Sequence, residues 1–360
     1  MLLDLGLALG KAKQILTKML TFNGTNAYGE LPEPVTFSGD FEIEIEFATT
    51  STSNQILIGD DYLNTYYFNL SPGTGTISAW IAGTESDWTG VSAGLADGVL
   101  HTIKFVLAGT SMELFVDNTS QGTKTVAPYT GVNKFIIGNS NTVNSYFNGI
   151  IKSVKLTDLT TPANSREYRL NSGNTLYELP QGESLGSELV TNGDFSDTAS
   201  IDTTIAPLAG WTNTGTHNAL NKCTIENGAM RLISDGTSIG VIQDIVEVGK
   251  TYLVTFDLLQ NDGAGVKITQ YVNNVNYGGT GTGSKSWVFT ASGLDTNVYI
   301  QRQSGACDAI IDNFSVKEIP KALLYNNVVA GDWGDYYFDA SLGTNGGWVS
   351  KTDASQVLLA

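Results

Sequence analysis

Histidine and cysteine are nearly missing from this chain of 360 residues, which has two of each: His101 and His217, Cys223 and Cys307. With no C-x-x-C pair and no histidine cluster, a zinc site or a Cys/His nucleophile pair has almost no material. The two thiols could bridge or stay as a buried pair, and the sequence leaves both open. Bases are scarce as well: 19 Lys and Arg stand against 36 Asp and Glu, for a formal charge of −17. Phosphate backbones and anionic lipid repel such a chain, so no nucleic-acid partner is expected, whereas calcium and neutral polymers such as glycans stay compatible. The opening MLLDLGLALGKAKQILTKML carries Asp4, Lys11, Lys13 and Lys18, is too short to span a bilayer and has no basic region ahead of its apolar run. Neither membrane insertion nor a signal peptide is expected from it. No G-x-S-x-G, Walker loop or strand–helix G-x-G-x-x-G occurs, and GTGTG at 279–283 is a loop between strands.

What the chain does have is glycine (40), tyrosine (15) and phenylalanine (14), with only 15% charged residues, the composition of short strands joined by turns. Its length allows two domains with real cores. In residues 1–20 the apolar positions Leu5, Ala8, Leu9, Ala12, Ile15, Leu16, Met19 and Leu20 form a helical stripe. That predicts a short helix, packed on its own domain or serving as an attachment segment. From 21 to 160 the period switches to two, through AYGEL, FEIEIEF, NQILIGD, YYFNL, TISAWIA, LHTIKFVL, SMELFVDN, KFIIGN and YFNGIIKSVKLTD, with turn signals such as SPGTG and ADG between them. Residues 161–187 break the alternation and read as a linker. A second β pattern covers 188–319, with an Asn-Gly hairpin signal in TIENGAMRL, and 320–360 read as a β-rich extension. The fold class expected is all-β: two antiparallel β-sandwiches (jelly rolls) with a short N-terminal helix and a β-rich C-terminal tail.

Two resemblances sharpen this. LADGVLHTIKFV, then SMELFVDN, then KFIIGNSNTVNSYFNGIIKSVKLTD resembles the concanavalin A-like (laminin-G-like) sandwich, with Leu100 where that family usually has Trp. NGDFS, GW, GKTYLVTFD and DNFSV, in that order within 188–319, resemble the jelly-roll carbohydrate-binding modules found beside cellulases and xylanases and in phage structural proteins.

Three sets of residues are candidates for chemistry. DFEIEIEF at 40–47 nearly spells the catalytic strand of laminarinase-type glucanases, and Glu42, Glu44 and Glu46 share one face at a spacing glycosidase carboxylates can use. Its position on the second strand of a laminin-G-like sandwich, with Phe41, Ile43, Ile45 and Phe47 supplying a core face, makes it a structural strand, so no enzyme is expected. Stacking aromatics and amides on the second domain's strands are the expected glycan contacts: Trp211, Gln243, Gln270, Tyr271, Tyr277, Trp287, Tyr299 and Gln301. The same resemblance places Asp194 and Asp312 where related modules bind a structural Ca²⁺, the alternative being that both acids cap turns.

The combination resembles a non-enzymatic bacteriophage virion protein, a fibre, spike or capsid decoration protein, made in the host cytoplasm. It would be a homo-oligomer, a trimer by analogy, joined to other virion proteins through the N-terminal helix and displaying modules toward host-surface glycans. The alternative is a secreted or surface carbohydrate-binding protein of a bacterium, and a third reading is a glycoside hydrolase using Glu42, Glu44 or Glu46.

Overall fold

The computed structural model describes residues 18–60, 66–81, 84–127, 131–140, 145–170, 176–197, 208–270, 277–279, 281–292, 296–332, 336–339, 347–350 and 357–359. The chain is all-β with several antiparallel sheets; the single helical turn among the described residues is the 3-10 segment Pro162–Asn164. It divides into two compact units. One runs to Glu30, resumes over Val35–Glu178 and ends with the tail from Tyr325; the other holds Leu31–Pro34 and Leu179–Leu324. The second unit is thus inserted into the first in sequence.

In the first unit one sheet runs Thr119–Thr125, Ser111–Val116, His101–Ala108, Phe41–Ala48, Asn148–Asp158, Lys18–Asn23, Val329–Asp332. The other contains Tyr28–Glu30, Phe135–Ile137, Gln55–Asp60, Tyr66–Ser71, Thr76–Ile81 and, at its edge, Thr84–Thr89. Period-two burial explains the layers: in Phe41–Ala48 the residues Phe41, Ile43, Ile45 and Phe47 turn inward and the glutamates between them stay half-exposed. Inward rings from opposite sheets meet, Phe68 with Phe105 at 4.4 Å between centroids and Trp88 with Phe105 at 5.9 Å. Asp158 fastens the end of its strand. Its carboxylate accepts from the Ser38, Thr160 and Thr161 N–H groups and from the Asn164 amide. Burial would raise this acid; the hydrogen bonds outweigh it and hold the carboxyl down at about 2.

The expected N-terminal helix is corrected where it can be seen. Lys18, Met19 and Leu20 begin the strand Lys18–Asn23, which pairs with Asn148–Asp158 on one side and Val329–Asp332 on the other. Leu20 and Phe22 are fully buried, so a place in the ladder with alternate residues inward overrides the helical stripe. Residues 1–17 lie outside the described residues. The expected linker 161–187 also differs: Arg166–Arg169 joins the sheet beside Asn148–Asp158 and buries Tyr168 and Leu170. In the tail, Tyr336–Asp339, Gly347–Ser350 and Val357–Leu359 form a three-stranded sheet.

The second unit has two five-stranded sheets. One is ordered Thr212–Gly215, Ile239–Asp244, Asn297–Arg302, Val266–Gln270, Tyr277–Gly279; the other Lys222–Glu226, Ala229–Asp235, Ala306–Glu318, Thr251–Gly263, Gly283–Thr290. Both feed one core, with Val241, Ile268 and Ile300 from the first and Leu232, Val254 and Ile311 from the second. The four sequence motifs meet in it: Phe195 of NGDFS lies 6.0 Å from Trp211, which lies 5.7 Å from Phe314 of DNFSV, itself 6.0 Å from Phe256 of TYLVTFD. Backbone bonds close the seam between the unit's first and last segments, Leu189 N–H to Val316 O and Phe314 N–H to Gly193 O. Asn313 has φ 51 at a bulge, and its amide donates to Asp257 Oδ2 at 2.8 Å.

Cys223 and Cys307 are both buried and free. Cys223 faces Leu232, which in turn faces Ala309, so the strand Ala229–Asp235 lies between the two cysteine-bearing strands. Two interstrand spacings amount to roughly 9.5 Å, beyond the ~7 Å that a disulfide tolerates between Cα atoms. Burial, reinforced by Cys307, pushes the Cys223 thiol far up. A bulky thiol reagent is therefore expected to leave the native protein untouched and to label both thiols after unfolding; intact mass should not change on reduction, and a change would show a bridge.

Candidate glycan-binding faces

The second unit does not gather its expected sugar-binding residues on one surface. Trp211 is 3% exposed, and its indole N–H donates to Asn192 O at 3.3 Å; it is a core residue with no ring face left for a sugar. Gln243 shares the inward parity of Ile239 and Val241 and is 6% exposed. Its amide makes a two-way clamp on Thr191, accepting from the N–H at 3.0 Å and donating to the C=O at 2.7 Å. Gln270, 1% exposed, follows Val266 and Ile268 inward and accepts from Ser292 N–H. Both glutamines stand in for backbone partners along loops that cross the core edge. Trp287 is half-buried and stacked on Phe289 at 4.6 Å, on the other sheet. Tyr299 and Gln301 do point outward on neighbouring rungs, opposite Thr269 and Lys267, and Gln301 donates to Thr269 Oγ1. Tyr277 faces Ile268 in the ladder, its side chain outside the described residues, as is Tyr271 altogether.

The two acids expected to hold calcium each make a local turn contact. Asp194 is exposed and folded onto its own turn, with both carboxylate oxygens 3.0 Å from Ser196 Oγ. Asp312 accepts the adjacent Asn313 N–H. Among the described residues no three His, Cys, Asp or Glu side chains are grouped to hold a metal. Near Asp194, a recess of about 440 Å³ is lined by Glu188, Asn192, Phe314 and Lys317. Glu188 is spent on the seam: its carboxylate takes Ser315 Oγ at 2.5 Å and the Val316 N–H at 2.9 Å.

In the first unit the acidic strand faces cations. Glu44 lies opposite Lys104 on one neighbour and Lys155 on the other; Lys152 Nζ is 2.5 Å from Glu46 and Lys155 Nζ 3.6 Å from Glu42. These are cross-strand charge pairs of the kind that stabilise an exposed sheet face. His101 and the two acids of the neighbouring motifs form a local knot, His101 Nδ1 to Asp117 Oδ2 at 2.8 Å and Nε2 to Asp97 Oδ1 at 3.1 Å. Asp117 and Asn118, at φ 48 and 62, make a tight turn.

A different face in this unit has the makings of a sugar site. Tyr66–Ser71, Thr76–Ile81 and Thr84–Thr89 pair in a register that puts Tyr67, Trp80 and Glu85 on one rung and Asn69, Ser78 and Asp87 on the next, all on the side away from Phe68, Leu70, Ile77 and Ala79. Tyr67 and Trp80 stack at 5.7 Å with planes 10° apart, each half-buried. Ser78 Oγ donates to Asp87 Oδ1 at 2.5 Å and the Ser78 N–H to Asn69 Oδ1 at 3.1 Å. On the far side of Tyr67 lies Gly59, where a Cβ would stand 2.4 Å from Ser140 Cβ, so the Asn139–Ser140 segment crosses close above it. Burial and then the charges of Glu85 and Asp87 push the Tyr67 phenol up; burial and Asp87 push the Glu85 carboxyl up. An aromatic ledge flanked by oxygen acceptors can stack a pyranose and bond its hydroxyls. Sequence reading named both strands but not this pairing, although counting back from the SPGTG turn aligns Tyr67 with Trp80.

Residues 23–164 match the family model described as the concanavalin A-like lectin/glucanases superfamily. That segment contains the whole Tyr67–Trp80 face. No curated protein matches the chain. Solved structures similar to it are distant. They include a heptameric SAP-like pentraxin from Limulus polyphemus (12% identity, 42% of this chain and 82% of that one, TM-score 0.35). Another is the CBM40 of a Ruminococcus gnavus IT-sialidase bound to α2,6-sialyllactose (17%, 37% and 92%, 0.29). A third is mouse laminin α1 LG4-5 (11%, 92% and 91%, 0.29).

Proposed function

We propose that this chain is a non-enzymatic carbohydrate-binding protein that holds a glycan on the outward face formed by Tyr66–Ser71, Thr76–Ile81 and Thr84–Thr89. The observation that carries the reading is the half-buried Tyr67–Trp80 stack set beside the exposed Glu85 and Asp87, with Asn69 and Ser78 buried at its foot. The match of the concanavalin A-like segment to a superfamily of lectins supports binding. Its glucanase side finds less support, because Glu42 and Glu46 are partnered by lysines. Titrating a panel of oligosaccharides into the protein tests this. Trp80→Ala is expected to weaken the best ligand at least about tenfold, the size of one lost stacking contact. Unchanged affinity in that variant would overturn the assignment.

The finer part of the proposal is the setting. Two adhesion-type modules in one chain support display on a bacteriophage particle, as a fibre, spike or decoration protein working as a homo-oligomer. Mass spectrometry of purified particles would find the chain at stoichiometric copy number. Recovery only as a free, monomeric bacterial product would replace this setting with the secreted carbohydrate-binding one and leave the sugar site as it is.

A further inference from the structure

We infer that the ligand of the Tyr67–Trp80 face is a glycan carrying free amino groups, a glucosamine-type polysaccharide, whose ammonium sits between Glu85 and Asp87. The inference rests on the reading that this face binds sugar, and adds the class of sugar.

Several acids on the first unit's described sheet faces have basic partners: Glu30 with Lys134, Glu46 with Lys152, Glu42 with Lys155. Glu85 and Asp87 are different. They are exposed, two residues apart on the outermost strand, so both carboxylates point to the same side at about 6.6–7 Å spacing. Among the described residues neither forms an ion pair. Each lies beside a ring or a hydroxyl of the proposed platform, Glu85 opposite Trp80 and Asp87 opposite Ser78. Beyond Tyr67 and Gly59 the backbone of Asn139 passes close, its carbonyl oxygen 3.0 Å from where a Gly59 Cβ would stand. The face therefore offers two exposed carboxylates beside an aromatic ledge, with no cation paired to them among the described residues.

Charge complementarity then selects among sugars. A uronic or sialic acid would meet two carboxylates with nothing to neutralise it. A neutral sugar would stack but leave the carboxylates as they are. A protonated 2-amino sugar can stack its ring on the aromatic pair while its N–H⁺ donors reach oxygen acceptors beside it. The chain's overall charge of −17 would draw a polycation to any part of the surface, so the test must separate site from surface.

Calorimetric titration of the full chain with three oligosaccharides of equal length, a glucosamine hexamer, its fully N-acetylated form and a galacturonic acid hexamer, makes that separation. The wild type is expected to bind the amine form about five- to tenfold more tightly than the N-acetylated form, the scale of two exposed ion pairs, and to bind the galacturonic acid hexamer most weakly. The double variant Glu85→Gln, Asp87→Asn removes two of the 36 acids and should bring the two glucosamine ligands to equal affinity while keeping the N-acetylated one bound. Trp80→Ala should lose both. Equal affinities in the wild type, or a preference for the amine that survives the double variant, overturn the amino-sugar inference and leave the sugar site standing. Binding of all ligands untouched by Trp80→Ala overturns both.

Discussion

Asp158→Asn is expected to destabilise the first unit by about 2–4 kcal/mol, the cost of leaving buried donors without an acceptor. The carboxylate collects four N–H donors from three places in the chain, Ser38, Thr160–Thr161 and Asn164, while its residue is 0% exposed. An amide in its place turns an NH₂ toward some of those donors. The pH dependence gives a second signature. The acid is held at about 2 in the folded chain against 3.8 ordinarily, so its stabilisation is complete above the ordinary value and is lost as pH falls through about 2. Urea unfolding between pH 5 and 2 should therefore show a steeper acid-limb slope in the wild type than in Asp158→Asn. Equal stability of the two proteins at neutral pH would mean that the knot around Ser38 does not depend on this carboxylate.

Gly193→Ala should have the larger effect on the second unit, about 3 kcal/mol or more. A Cβ there would lie 1.9 Å from the Phe314 carbonyl oxygen and 3.0 Å from Val190 Cγ1. Relief requires the first and last segments to part, breaking the Phe314 N–H to Gly193 O bond of 2.8 Å and loosening Phe314 from Trp211. Gly281→Ala is the matched control, since its Cβ would meet nothing nearer than Lys285 Nζ at 3.7 Å. Thermal unfolding should move for the first substitution and stay within error for the second. If the two behave alike, close approach is not what Gly193 provides.

Much of the layering was legible because a two-residue period fixes faces without any knowledge of partners. FEIEIEF could be divided into a core side and a wet side from the letters alone, and its burial follows that division. The opening segment misled because a helical stripe and a strand can share apolar residues; which one wins at Leu20 is decided by Ile151 on the neighbouring strand, far away in sequence. The site residues were harder. Residue type suggested Trp211, Gln243 and Gln270, but sugar contact depends on facing. In IGVIQD the parity of Gln243 with Ile239 and Val241 already pointed it inward. Tyr67 and Trp80 are ordinary aromatics until the hairpin register brings them together, and that register is a property of two strands at once.

The inserted arrangement of the second unit has a bearing on how such a chain changes over generations. The chain leaves the first unit at Tyr177–Glu178 and returns through Leu323–Asn326, and these two strands are hydrogen-bonded neighbours in one sheet, with Tyr325 N–H donating to Leu176 O. Two ends held one strand spacing apart, about 4.8 Å, form a socket. Any compact domain whose own termini meet can occupy it, as domain insertions at adjoining chain ends are readily tolerated. The first unit with its aromatic ledge can stay constant while the cassette between 179 and 324 is exchanged, so that one scaffold carries a succession of different passengers.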